Sequence, residues 1–525
     1  MSTPLFLNNN NAKSEEKFSI IEGDIAYRCI TKKNIRCLVL NSEIGNICEN
    51  LSKIFEQVFS IEQDKQKLSI QKIRFNENEI KNVILVRADF LILPFPKEYF
   101  DLVIYNGINF QDKDKVLKCF KEIKRVLKPL GCFCVGTINK FGLKILHGKS
   151  ADSVKEMYAD SYNGYISIFN DLKFQVRSYW TIGTFRRPYF IGNMDDGILL
   201  QWLYSNLEKF LPINLKLRII TWVLKKSGVT LNKILIKLFA PSFLFYCYKD
   251  VIPSGFEEMI LEKTGFRHVL QQIRFNKVSF ILFDSFGKPK KKLSCKRTNY
   301  DLTEDIAMIN YPPKSKFSEE KLVMADWAEG KTMDVQNVHE VRLVTNWLIN
   351  FQTKTSNEFY NLEMINNEIK TVRKNLDKIK GLKSLPFQKW LIDYSNHISK
   401  MKIRSTTVHG DFNPHNILVN MNNSLVTVID WESFYENGNP FYDLTKLIYH
   451  VLTPNSCVDE FMKNIRNVEE IPSLVIIKEI LTKHFQNEIN VVTLLRFYFL
   501  NDLALNKNIN KPYFLKLLEE LSKIY

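Results

Sequence analysis

Two short stretches of the 525-residue chain gather side chains able to do chemistry together: VHGDFNPHNILVN at 408–420 and VTVIDWE at 426–432. Transfer of a phosphoryl group needs a carboxylate to receive or orient the acceptor hydroxyl. It also needs oxygen ligands for a Mg²⁺ ion that bridges the nucleotide phosphates. Asp411, in a loop between a helix and a strand, suits the first task. Asn416, five residues on, and Asp430, at the end of the strand VTVID, suit the second. The segment between them reads as a hairpin with an Asn-rich turn, which returns Asp430 to Asn416. A capped turn before a hairpin accounts for any one of these residues but not for the set.

HGDFNPHN, then IDWE, then GNPFYDL at 438–444 is a combination that resembles the aminoglycoside phosphotransferase and choline kinase superfamily, over about residues 255–525. The resemblance implies an α+β, two-lobed protein-kinase-like domain with ATP or GTP as donor. In it Asp411 is the catalytic base, Asn416 and Asp430 coordinate Mg²⁺, His409 and Asp443 hold the loop, and His415 is a loop residue. MADWAEG would be the hinge, with Asp326 and Trp327 at the purine. Lys296 is best placed to meet the α- and β-phosphates, with Glu304 as its nearby partner and little chain left for the usual intervening helix.

The elements that must position these residues follow the same division. HVLQQIRF, KVSFILFD and a basic stretch ending LSCKRTN read as strands, with a turn at 285–288. DLTEDIAMIN is a short helix candidate and KLVMADWAEGK an apolar strand, giving an N-lobe with hinge at 255–330. Beyond Gly330, HEVRLVTNWLINFQ and FQKWLIDYSNHISKM open a helical C-lobe at 331–525.

Upstream, from Arg36, apolar runs alternate with amphipathic stretches: RCLVLNSEIG, VFSIEQ, VILVRADF, FDLVIYNGI and CFCVGTI are separated by helical segments. That is the pattern of a parallel sheet with helices on its faces. Val116, Phe120, Ile123 and Leu127 mark one helix face, and Pro129 and Gly131 stop that helix. Ligands of such a sheet bind beyond the carboxyl ends of the strands. The residues to read are therefore Asn41–Ile47, then Glu62, suited to ribose hydroxyls, then Asp89 and Phe90, suited to an exocyclic amine and a flat base.

RADFLILPFPKEYFDLVIYNGI and FKEIKRVLKPLGCFCVGTIN together resemble class I S-adenosylmethionine-dependent methyltransferases, over about residues 20–250. The resemblance implies a Rossmann-like α/β domain, with Gly45 near the methionine part of the cofactor, Glu62 at the ribose, and Asp89 with Phe90 at the adenine. This sequence departs from the family in its first turn. Asn41 replaces an acidic residue, and Glu43 and Ile47 replace the outer glycines, so their side chains are expected to crowd the cofactor. Tyr158, Tyr162, Tyr165 and Trp180 line an acceptor pocket or belong to the core.

Composition bounds the rest. The formal charge is +16, yet no nucleic-acid-binding motif accompanies it, so a solvated basic surface is the expectation rather than a specific nucleic-acid partner. Nine cysteines without a C-x-x-C fit a reducing, cytoplasmic setting, and no run of eighteen apolar residues occurs. Residues 199–245 mix bulky apolar side chains with Lys and Arg at helical spacing, as a helical insert or as a peripheral membrane contact. Residues 1–20 read as a flexible N-terminus, and 21–250 as the first domain. The expectation is a small-molecule phosphotransferase acting on a hydroxyl of a metabolite, sugar or glycan precursor, fused to a methyltransferase-like domain. The alternatives are a non-catalytic binding protein, and a methyltransferase whose kinase-like half grips the substrate.

Overall fold

In the computed structural model, the residues described are 36–53, 55–143, 157–206, 222, 229–274, 277–296, 307–309, 323–376, 379, 385–401, 403–454, 457–505 and 511–524. The chain divides into two compact units. The first comprises Met1–Met308 with Glu319–Trp327, and the second Ile309–Ser318 with Ala328–Tyr525.

The first unit is built on a parallel core of β1 (Arg36–Leu40), β2 (Gln57–Glu62), β3 (Val83–Arg87), β4 (Phe100–Tyr105) and β5 (Leu127–Asn139), in the spatial order β5-β4-β1-β2-β3. Alternate residues of β1 serve opposite faces: Leu38 and Leu40 join one apolar core, Cys37 and Val39 the other. The helix Lys113–Val126 presents Val116, Phe120 and Ile123 to the first of these cores. Burying each such side chain is worth roughly 1.5–3 kcal/mol, more than the intrinsic helix preference of any residue in it. The helix ends at Val126, and Leu127 already belongs to β5. Beyond β5 the sheet turns antiparallel through β9 (Ser242–Tyr248), β7 (Gln175–Thr184) and β8 (Arg187–Asn193).

The sheet does not stop there. β10 (His268–Arg274) pairs with β8 through Gln271↔Ile191 and Gln272↔Phe190, and β11 (Lys277–Phe283), β12 (Pro289–Lys296) and β14 (Val323–Asp326) continue it antiparallel. The boundary expected at 250–255 is therefore displaced: the strands assigned to a kinase N-lobe extend the first unit's sheet. Both β8 and β10 are apolar strands with unmatched backbone groups on one side, and joining them removes two exposed edges. The helix Phe256–Thr264, closed by Gly265 at φ 72°, is also in this unit. Within the stretch read as a helix at 301–310, Ala307–Ile309 is a strand, β13, and the remainder lies outside the described residues.

Of residues 199–245, the helix Gly197–Asn206 buries Leu199, Leu200 and Leu203, whereas Val229–Phe239 leaves Leu231, Ile234 and Leu238 exposed. Most of the segment between these helices lies outside the described residues. No described helix is long and apolar enough to cross a membrane.

The second unit is mainly helical, around one apolar core that includes Val344, Leu348, Leu391, Leu444, Ile448 and Leu495. Two small sheets are set into it. One is β15 (Lys331–Thr332), β17 (Ile417–Asn420) and β18 (Leu425–Val428). The other is β16 (Thr406–Val408) paired with β19 (Tyr435–Gly438).

Candidate active sites

In the second unit β16 delivers the chain into the loop 409–416, and the hairpin β17–β18 returns it. Register Ile417↔Val428 lets the Ile429 amide donate to the Asn416 carbonyl at 2.9 Å, so Asn416 and Asp430 stand at the open end of one hairpin. Asp430 holds a left-handed backbone, φ 61° and ψ 54°, which aspartate tolerates better than most residues. Gly410, at φ 78°, admits no side chain, since a Cβ there would lie 2.4 Å from the Ser433 carbonyl oxygen.

The loop is fixed from two sides. The Asp443 carboxylate, wholly buried at the start of the helix Phe441–Leu452, accepts from the His409 amide at 2.6 Å and the Gly410 amide at 3.0 Å. Burial pushes its pKa up to about 6 against those two bonds. His409 donates from Nε2 to the Ile429 carbonyl at 2.9 Å, leaving Nδ1 to accept the Asp411 amide at 3.2 Å. Burial lowers its pKa to about 4, so the ring is neutral and keeps this tautomer. Trp431 packs against it edge-on at 4.6 Å.

Asp411 emerges from this frame with both oxygens engaged. Oδ2 accepts from Asn416 Nδ2 at 2.9 Å, and Oδ1 lies 2.7 Å from Lys446 Nζ. Its side chain is 43 % exposed. Burial works to raise its pKa, but the charge and hydrogen bond of Lys446, with a bond from Asn413, bring it below the ordinary aspartate value. Asn416 spends its amide on Asp411, so its carbonyl oxygen remains the group suited to a hard cation. Among the described residues no cluster of three or more His, Cys, Asp or Glu could hold a metal by itself. A dication here would rely on Asn416, Asp430 and phosphate oxygens. Lys446 escaped the sequence reading, although its i,i+3 spacing from Asp443 puts both on one helix face.

Of the residues expected at the nucleotide, Lys296, Asp326 and Trp327 lie in the first unit. Lys296 ends β12, with its side chain outside what is described. Asp326 pairs with Lys291 at 2.6 Å, and Trp327 packs edge-on against Trp202. Glu304 lies outside the described residues.

In the first unit, the order β3-β2-β1-β4 makes the gap between β1 and β4 the switch point where a ligand crevice forms. The turn after β1 is pinned by Gln71, whose amide donates to Ser42 Oγ and the Glu43 carbonyl. Gly45, at φ 88°, packs against the helix Lys65–Glu77, where a Cβ would meet Phe75 at 2.7 Å. Glu62, nearly inaccessible at the end of β2, accepts from the amides of Glu43, Gln63 and Asp64. A carboxylate has about four acceptor sites, so about one is left for a hydroxyl. Asp89 is exposed after β3 and accepts from Leu91 and from Gln63 Nε2.

Two expectations change here. Phe90 has no exposed surface and sits edge-on to Tyr105 and Phe110, so neither ring face is open to an adenine. Ile47 points into the apolar core rather than the crevice. Glu43 does occupy the crevice, as expected, paired at 2.8 Å with Arg186, which no local sequence pattern singles out. Tyr165 and Trp180 are fully buried core residues.

Comparison with known proteins finds one match within each unit. Residues 42–135 match the profile of a methyltransferase domain, and residues 372–463 that of a phosphotransferase enzyme family. The chain thus carries an N-terminal methyltransferase domain and a C-terminal phosphotransferase-family domain. The ubiquinone/menaquinone biosynthesis C-methyltransferase UbiE of Wigglesworthia glossinidia brevipalpis is 34 % identical over 114 residues, 20 % of this chain and 44 % of that protein. The chain therefore spans less than half the length of that curated relative. A SAM-dependent methyltransferase structure from Aquifex aeolicus aligns over 34 % of this chain and 94 % of its own, at 19 % identity and TM-score 0.28. The YcgJ protein of Bacillus subtilis aligns over 45 % and 100 %, at 14 % identity and TM-score 0.27.

Proposed function

We propose that the second unit transfers the γ-phosphate of ATP or GTP to a hydroxyl of a small metabolite, sugar or glycan precursor. The observation that carries this reading is the Asp411 carboxylate, held ionised between Lys446 and Asn416 and still open to solvent. Asp411 accepts the hydrogen bond of the incoming hydroxyl and takes its proton as the new O–P bond forms and the bond from the γ-phosphorus to the β-phosphate oxygen breaks, releasing ADP or GDP. Its lowered pKa makes it an orienting group first and a base second, which suits a transition state with little nucleophile bonding. Asn416 and Asp430 would hold Mg²⁺, which screens the phosphate charge. Lys446 adds a fixed positive charge beside the same oxygen. The test is phosphate transfer from Mg²⁺-ATP and Mg²⁺-GTP to a panel of polyols, aminoglycosides and sugar precursors. Transfer absent from every pair, with no nucleotide hydrolysis, rejects the reading.

The first unit would bind S-adenosylmethionine, whose sulfonium supplies an electrophilic methyl group. Glu62 and Asp89, at adjacent strand ends, fit its nucleoside half. A common product of the two domains, in a cytoplasmic setting, belongs to this same proposal.

A further inference from the structure

The crevice between β1 and β4 contains a cation built into the fold. Arg186 sits at the tip of the β7–β8 hairpin and is 6 % exposed. The hairpin tip is seated by its neighbour Phe185, whose ring lies over β5 so closely that a Cβ on Gly136 would approach within 2.0 Å. Arg186 Nη2 donates to the Asn106 carbonyl at 2.8 Å and lies 2.8 Å from Glu43 Oε1. Asn41 Nδ2 donates to the carbonyls of Asn106 and Gly107, at 3.3 and 3.1 Å.

The two partners of the ion pair are held very differently. Arg186 is buried on a rigid hairpin. Glu43 is 38 % exposed, on a left-handed backbone at φ 53°. Removing a buried guanidinium from its anion is costly, whereas an exposed glutamate can rotate into water at little cost. The strand-end carbonyls are already taken by Asn41 and Arg186, so what the crevice offers an incoming carboxylate is the guanidinium charge and the Nη2 donor that now meets Glu43. We propose that Arg186 is the anchor for the carboxylate of an amino-acid-bearing ligand, and that Glu43 occupies the anchor until the ligand displaces it. The choice of S-adenosyl ligands as probes rests on the cofactor reading above.

The test is calorimetric titration of the full chain with S-adenosylhomocysteine and, in parallel, with 5′-methylthioadenosine, which keeps the nucleoside and thioether but lacks the amino-acid part. Glu43→Gly suits the left-handed backbone and removes the competitor, so it is expected to bind S-adenosylhomocysteine about tenfold tighter than wild type. Its affinity for methylthioadenosine is expected to be unchanged. Arg186→Gln is expected to bind S-adenosylhomocysteine about tenfold more weakly and methylthioadenosine equally well, which also certifies that its crevice is folded. If methylthioadenosine binds all three proteins and neither substitution changes affinity for S-adenosylhomocysteine, the anchor is wrong and the cofactor reading stands. If neither compound binds any of them at millimolar concentration, both fall.

Discussion

Lys446 Nζ lies 2.7 Å from Asp411 Oδ1, in a side chain only 13 % exposed, and although burial is the largest single influence on that carboxylate and raises its pKa, the charge and hydrogen bond of Lys446, with a bond from Asn413, together bring it below the ordinary aspartate value. One helix, Phe441–Leu452, therefore does two jobs at the loop. Its Asp443 holds the backbone amides of His409 and Gly410, and its Lys446 holds the side chain they present. The helix face is set by the core residues Leu444, Leu447 and Ile448, so apolar packing and the charge state of Asp411 are coupled through one rigid element.

Lys446→Met removes the charge but keeps the stem. Burial then dominates at Asp411 and carries its pKa above the ordinary aspartate value. The acid limb of the kcat/KM profile for phosphate transfer should move to higher pH and the plateau should fall, while Lys446→Arg keeps the wild-type limb. A pH–rate profile decides it; an unmoved limb in Lys446→Met separates Lys446 from the base.

Asp411→Asn keeps an acceptor oxygen for Lys446 or Asn416 but cannot take a proton. Phosphate transfer should fall about 10²–10⁴-fold, with the denaturation midpoint near wild type because the side chain is partly exposed. Transfer within a few-fold of wild type would remove Asp411 from the chemistry.

Much of this arrangement was legible in the chain. The alternation of apolar runs from Arg36 yields the five parallel strands, because a strand buried on both faces needs continuous Val, Ile, Leu and Phe. HGDFNPHN and IDWE yield the loop and hairpin, because local turn chemistry fixes them. What stayed hidden is long-range. Nothing in HVLQQIRF says that its partner is RPYFIGN of β8 rather than a separate small sheet. Phe90 after Asp89 reads alike whether it sandwiches a base or fills a core, and Arg186 matters only because a hairpin tip folds back to the first turn. Lys446, in DLTKL, has the pattern of any solvated helix lysine.

The continuous sheet makes the position of a truncation decisive. A fragment of residues 1–250 bares the β8 edge and uncovers apolar surface that Leu270, Ile281 and Phe283 otherwise cover. It should aggregate, whereas a fragment of residues 1–327 retains β10–β12 and β14. Size-exclusion chromatography of both checks this, and a monodisperse 1–250 that melts cooperatively would show that the added strands are dispensable.

Asp443→Asn replaces one of two accepting oxygens by an amide that faces a backbone donor. An unsatisfied buried donor costs about 1–3 kcal/mol, and the displaced His409–Gly410 segment carries Asp411 with it. The stability of the second unit and kcat should therefore fall together, in contrast to Asp411→Asn. Urea denaturation monitored by tryptophan fluorescence, alongside the transfer assay, separates the two; a loss of activity at unchanged stability would contradict a holding role for Asp443.

Acid should weaken the same site through two largely buried histidines, His409 in the loop and His450 on the helix Phe441–Leu452. His409 and His450 have folded-state pKa values near 4, depressed chiefly by burial, against 6.5 when unfolded. Between those values the unfolded chain binds more protons than the folded one, so stability rises with pH. The contribution is complete above pH 6.5 and is lost as pH falls towards 4, at most on the order of 3 kcal/mol per ring. Asp443 opposes it: with a folded pKa of about 6 its protonation favours the folded state as pH falls from 6 towards 3.8. Asp502, raised by burial, acts in the same sense as Asp443, whereas Asp411, held below the ordinary aspartate value, acts with the two histidines, so this site as a whole should lose stability on acidification. Ring resonances in proton–nitrogen NMR should show neither His409 nor His450 titrating between pH 8 and 5.5. A midpoint near 6.5 for His409 would mean that the ring is not locked between Ile429 and Asp411, and that the loop it braces is open in solution.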